Sequence, residues 1–338
     1  MQKNGKDMTI AQEFAIRNKE QKKRALIIRF VPVILLLLLI IVFGIITPAF
    51  LSFENLYVNI LDQLSIILVL TVGITFVIIM GGIDLSIDGV MGFAGCFIGL
   101  LVLNTKTAMN LGLLGIIITI AVCGAIGALS GLLHIKLKLP TFIVTFAMGY
   151  IASGLGVLTY RGIPATILDE GLRGLYFNKI LGIPYLTWIA FAVFLIALFI
   201  EKKTSFGRYI FAIGDNEKVP LMSGINVSRI KVMAFVWAGI CLGIAGIMGA
   251  AKLGTAQIYI GRGNLFPALT AVVVGGTSMS GGEGGILNSL IGALIVTILQ
   301  NGMVMIGVAP EVQQGIQGAI IIAAVVLSIN RKRKNIVK

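Results

Sequence analysis

Charge is scarce in this chain. Asp, Glu, Lys and Arg make up 12% of 338 residues, about half the share of a soluble globular domain. Histidine is scarcer still: His134 is the only one, and it sits beside Lys136 and Lys138. The three cysteines, Cys96, Cys123 and Cys241, all lie in apolar runs with neither metal-ligand spacing nor a disulfide framework. The phosphate-cradling G-x-x-x-x-G-K-[ST] loop, G-x-S-x-G and H-E-x-x-H are absent, and no carboxylate pair is set up for acid–base work. These absences assign no catalytic residue, no metal site and no resident cofactor, and they argue against an enzyme. The regular arginine spacing of a voltage sensor is missing as well.

Apolar residues are what the chain has in abundance. They make up 57% of it, mean hydropathy is +1.01, and the runs are long enough to cross a bilayer. Val31 to Phe50 is the first, about 20 residues and too long for a signal-peptide core. Further spans are expected at Ile66–Met80, onward to Leu103, Leu111–Leu133, Pro140–Tyr160, Tyr185–Ile200, Met233–Ala251, a short one at Ala268–Gly276, Ile286–Gly307 and Val312–Ile329. The fold class is an all-α polytopic membrane protein with about ten transmembrane helices, or eight if two segments re-enter.

The net charge of +13 is a matter of orientation, because the basic residues are segregated. On this topology 21 of the 27 fall on one side: the arm before Val31, Lys136 and Lys138, the 202–231 loop, and the tail at 331–338. The positive-inside rule makes that side cytoplasmic. Residues 1–30 are then a cytoplasmic basic arm, 31–330 the membrane domain and 331–338 a basic cytoplasmic tail. Both termini are cytoplasmic, and lipid, not nucleic acid, is the partner the charge implies.

Three stretches are patterned beyond what crossing a membrane needs. The first is the cytoplasmic loop 201–231, punctuated by Gly207, Gly214 and Gly224. In it Asp215 and Asn216 are helix N-cap residues, and Val219, Leu221 and Met222 put an apolar face on a short exposed helix, which wants a partner protein. The second is Gly81-Gly82-Ile83-Asp84-Leu85-Ser86, where Asp84 or Ser86 caps the next helix or lines a path. The third, Gly275-Gly276-Thr277-Ser278-Met279-Ser280, echoes the second: an apolar half-helix, a double glycine, and a hydroxyl four residues after the second glycine. Glycine-broken segments at corresponding places in two halves point to a transport path.

With Pro140-Thr-Phe-Ile-Val-Thr145 and Gln300-Asn301-Gly302, these stretches resemble the permease subunits of ribose-type (monosaccharide) ABC importers, over roughly residues 30–330. The resemblance implies a type II ABC importer permease fold in a bacterial inner membrane. It also implies a cytosolic ABC ATPase that binds the ATP, an extracellular or periplasmic sugar-binding protein, and a second permease copy, identical or not. ATPase coupling is expected at Gly207, Arg208, Gly214, Asn216, Glu217, Val219, Pro220, Leu221, Met222, Ser223 and Gly224. The translocation path is expected near Gly81, Gly82, Asp84, Ser86, Gly275, Gly276, Thr277, Ser278, Ser280 and Asn301. Two positions depart from the family pattern. Val219-Pro220 stands where the family usually has two alanines, so the coupling helix must be short or start late. Asp88 stands where a small residue is usual. The other readings are an ion-coupled secondary transporter with Asp84 or Asp88 as ligand, and the same ABC machinery carrying a nucleoside, a furanosyl signal or a branched-chain amino acid.

Overall fold

The computed structural model describes residues 30–328; the expected cytoplasmic arm and tail lie outside the described residues. The chain folds into a helical bundle. Its helices are α1 (Phe30–Ile46), α2 (Ile60–Ile79, continuous with a π-turn at Glu54–Asn59), α3 (Ile87–Leu101), α4 (Leu113–Leu137), α5 (Thr141–Tyr160), α6 (Glu170–Phe177), α7 (Tyr185–Lys203), α8 (Ser205–Asn216), α9 (Lys218–Met222), α10 (Val227–Leu253), α11 (Leu265–Val274), α12 (Ile286–Met305) and α13 (Pro310–Ser328). Among the described residues, six helical stretches are long and apolar enough to cross a membrane: Glu54–Ile79, Leu113–Leu137, Thr141–Tyr160, Tyr185–Lys203, Val227–Leu253 and Ile286–Met305.

Burial follows composition. The sequence of α2 is apolar on every side, so it sits at the centre, with nearly every residue from Leu64 to Ile79 buried. Around it pack α7, α10, α11 and α12. Close approach between spans comes from the glycines that the sequence places in α4 and α10. A Cβ on Gly127 would lie 2.1 Å from the Phe235 carbonyl oxygen, and one on Gly239 would lie 2.3 Å from that of Cys123. Such contacts stand in for a hydrophobic driving force that lipid does not supply.

The bundle has a basic end and an opposite end. His134, Lys136, Lys202 and Lys203 lie in the last turns of α4 and α7, and α8, α9 and the start of α10 follow from there. At the opposite end lie the 102–112 connection, α6 and two small antiparallel ladders, Ala165–Thr166 with Thr255–Ala256 and Lys179–Ile180 with Ile183–Pro184.

Three expectations change. The second span begins at Glu54, not Ile66, because its polar residues find partners inside the bundle. Asn55 and Asn301 exchange amide hydrogen bonds of 3.0 and 3.1 Å, and Asp62 pairs with Lys252 at 2.7 Å. The stretch between the expected spans Met233–Ala251 and Ala268–Gly276 does not stay outside: after Thr255–Ala256 it turns down into the bundle as a 3-10 turn at Ile258–Gly261. The 201–231 stretch is not a loop but two short helices, α8 and α9, between the end of α7, which runs on to Lys203, and the start of α10 at Val227.

Candidate functional site

At the basic end three glycine-bearing stretches, far apart in sequence, touch backbone to backbone. Helix α2 ends at Ile79, and Gly81 turns the chain with φ of 83°. The Gly282 N–H donates to the Ile79 carbonyl at 2.8 Å. Gly214 of α8 closes the triangle. A Cβ there would lie 1.9 Å from the Ile79 oxygen and 2.5 Å from the Gly282 nitrogen, and one on Gly281 would lie 2.9 Å from the Gly81 nitrogen. Any side chain at Gly214 would force these backbones apart. The expected coupling residues and the two double-glycine stretches therefore meet in one junction.

Helix α8 is held there from both ends. Thr204 is its N-cap, its hydroxyl accepting from the Gly207 N–H at 3.2 Å, and Gly207 lies flush on the Glu201 carbonyl. The buried Glu201 carboxylate accepts from the Ile286 N–H. It thereby caps α12 and ties the base of α7 to the end of the 275–285 stretch. Beyond Asn216, whose side chain accepts from the Lys218 N–H at 3.1 Å, α9 is one short helix with Pro220 as its third residue, where proline is tolerated. Pro220 is buried, while Val219, Leu221 and Met222 are 58%, 62% and 88% exposed. Gly224, with φ of 76°, closes the turn after Ser223. Glu217 pairs with Lys231 at 2.8 Å, and Arg208 is exposed on α8. The product is an apolar ridge standing on the glycine junction.

The expected path residues divide. Gly81, Gly82, Gly275, Gly276, Thr277, Ser278 and Ser280 lie at or beside the junction. Gly275 packs on the Asn288 carbonyl, Thr277 is buried under Gly284, and Ser278 and Ser280 turn the loop. Asp84 and Ser86 lead away from it. The Asp84 carboxylate accepts from the Ser86 N–H at 2.8 Å and from its hydroxyl at 2.6 Å, forming the turn that starts α3. Asn301 is far from both, pinned to Asn55 near the opposite end.

Two segments cross part of the bundle outside any α-helix. Residues 81–86 run extended beside α5, where the Thr141 and Thr145 hydroxyls each accept a backbone N–H at 2.9 Å, from Ile83 and Leu85. Residues 257–264 descend from the opposite end to α11, whose first turn is capped by Asp88 from the start of α3. One Asp88 oxygen accepts from Gly263 at 3.0 Å, the other from Asn264 at 3.1 Å and Leu265 at 2.7 Å. The meeting point is at mid-height. The 10 residues of α11 rise about 15 Å from Gly275, which lies beside the start of α12. That is half of a hydrocarbon core about 30 Å thick. Gly89 agrees, because it packs on Gly149, midway along α5.

A protein-family model described as "Branched-chain amino acid transport system / permease component" matches residues 56–325. The chain belongs to that permease family. Over 292 residues it is 35% identical to the ribose import permease of Escherichia coli strain K12, covering 85% of this chain and 89% of that one. Over 289 residues it is 36% identical to the ribose import permease of Bacillus subtilis strain 168, covering 85% and 88%. It is 31% identical over 287 residues to an L-arabinose ABC transporter permease of Azospirillum brasilense, covering 85% and 83%. No solved structure matches it.

Several side chains that hold this permease together carried little signal in the sequence. Thr141 and Thr145 stand in a quoted stretch, and their i, i+4 spacing on one helix face is what lets both hydroxyls reach a neighbouring extended strand. Asp88 stood out only as an unusual charge. Glu201 read as one more polar residue beside two lysines, and the descent of residues 257–264 had no sequence marker beyond Gly261 and Gly263.

Proposed function

We propose that this permease is the membrane-spanning subunit of an ATP-driven importer for a monosaccharide such as ribose or a related sugar. Ten traverses are counted if the two extended-plus-helix segments, 81–101 and 255–274, each count as one, as in a type II importer. The basic end then faces the cytoplasm of a bacterial cell with both termini there, following the segregation of charge. ATP is bound by a separate cytosolic ATPase, not by this chain, which carries no catalysis of its own. An external binding protein delivers the cargo, and a second permease copy completes the path.

The observation that carries this reading is the glycine junction. The ridge of Val219, Leu221 and Met222 has no use inside the fold, yet it stands beside α8, which through Gly214 touches the end of α2 at Ile79 and the loop after α11 at Gly282. A partner that moves the ridge moves α8 as a rigid body, and with it the inner ends of α2 and α11.

The test is uptake of labelled ribose, and of leucine as the competing cargo class, by liposomes holding the permease, its ATPase and its binding protein. Met222→Glu or Leu221→Glu should abolish ATPase capture and uptake, while the permease still inserts normally. Glu217→Lys should weaken both by a smaller factor, since Glu217 is half-exposed and paired with Lys231. Uptake by the permease alone, without an ATPase, defeats the proposal.

A further inference from the structure

The double glycines mark the inner junction, but the break between α3 and α11 has the chemistry of a conduit. At that break Tyr259 and Phe266 are 59% and 58% exposed, and Arg262 and Gly263 are exposed between them. The Arg262 guanidinium lies 5.8 Å from the Tyr259 ring centroid, and among the described residues it has no ion-pair partner. Asn264 carries the polar surface onward. It lines a cavity of about 250 Å³ with Gln63, Lys252 and Gln300, which reaches the end of α10.

An arginine cannot face lipid at this height. Insertion costs roughly 2.5–3.5 kcal/mol at the centre of a spanning helix, and from mid-height neither surface is within the reach of its side chain. Non-helical backbone is tolerated at such depth only when it is buried in protein or lines water. The 257–264 segment is packed on α3 and α10 along one side, through Ile260 against Gly95 and Gly249 and through Gly261 against Asp88. Its other side bears the exposed Tyr259, Arg262 and Gly263, a side left to water or to the second permease copy and not to lipid.

We propose that Tyr259, toward the opposite end, and Arg262, near mid-height, form a contact for a hydroxyl-rich cargo on its way through the bundle. The sugar ring rides on the aromatic face of Tyr259, while Arg262 donates its forked N–H groups to cargo hydroxyls. Cargo discrimination within the permease then sits at this ledge, and the residues at 81–86 and 275–280 serve the mechanical junction below it. Asp88 positions the ledge by clamping the N–H groups of residues 263–265 to the start of α3. The proposal rests on the sugar-importer reading only for the class of cargo; the placement of the conduit stands apart from it.

The experiment has two arms on the complete complex. In the first, Tyr259→Cys and Arg262→Cys are exposed to a charged, membrane-impermeant methanethiosulfonate. Ile117→Cys on the exposed apolar face of α4 is the control, and the three buried native cysteines give a low background. Both ledge positions should be modified and the control should not. Failure to modify either ledge position overturns the placement, whatever the cargo. In the second arm, Arg262→Gln should lower ribose uptake by about tenfold or more, the cost of one hydrogen bond to a charged group, and Tyr259→Ala should lower it by a smaller factor through loss of the ring contact. ATPase stimulation by the binding protein should persist, and Arg262→Lys should recover only part of the uptake. Labelled positions with unchanged uptake would refute the cargo contact. If the unmutated complex hydrolyses ATP but imports no ribose, the sugar reading fails, and the labelling arm still decides where the conduit runs.

Discussion

The two broken segments solve one problem in opposite ways. Residues 81–86 leave the basic end with the N–H groups of Ile83, Leu85 and Ser86 taken up by Thr141, Thr145 and Asp84, and only Gly81 is exposed. Residues 257–264 enter from the other end, held by a carboxylate from the neighbouring half-helix, and leave an arginine and two aromatic rings uncovered nearby. Two stretches that look alike as interruptions thus differ in what they are for. The first is satisfied from within and behaves as a fixture, whereas the second presents chemistry to water.

Substitutions can break this contrast. The largest effect is expected at the glycine junction from which the first segment departs. Gly214→Val puts side-chain atoms where Ile79 and Gly282 backbone already stands. Overpacking costs about 1–3 kcal/mol where neighbours yield, and here the neighbours are backbone, so the variant should fail to accumulate in the membrane. Asp88→Ala comes next. It leaves three N–H groups without their acceptor, at about 1–3 kcal/mol for each one that water cannot reach. Thermal unfolding in detergent should register a loss of at least about 2 kcal/mol, with Asp88→Asn intermediate because an amide oxygen still accepts. Thr145→Val is the mildest. It keeps the shape and removes one acceptor, for about 1–2 kcal/mol, and Thr145→Ser should restore most of it. An Asp88→Ala effect no larger than that of Thr145→Val would mean that the two segments are held alike, and the contrast would be lost.

Helices and motifs were legible for different reasons. Long apolar runs define α4, α5 and α7 to within a few residues, since burial in lipid needs only length and composition, whereas α10 begins six residues before its apolar run. The boundary of α2 was not legible. Asn55 and Asp62 look like surface residues until Asn301 and Lys252, about 246 and 190 positions away, are seen to neutralise them. The glycine motifs announced that something special happens at 81–82 and 275–276, but not that Gly214 would meet the neighbouring backbone at Ile79 and Gly282, because a contact between backbones leaves no complementary side chains to read. The ledge was missed for a related reason. Tyr259 and Arg262 sit in a stretch with the composition of an external loop, and only the length of α11 reveals how deep that stretch reaches.

The meeting of Gly214, Ile79 and Gly282 has a practical consequence. With no side chain between them, the three strands have no cushion that could absorb a displacement. A single spectroscopic label on the exposed side of α8, at Arg208 for instance, would report the position of all three at once. In the proposed importer, distances between such labels in the two permease copies would follow the working cycle without any probe being placed inside the conduit.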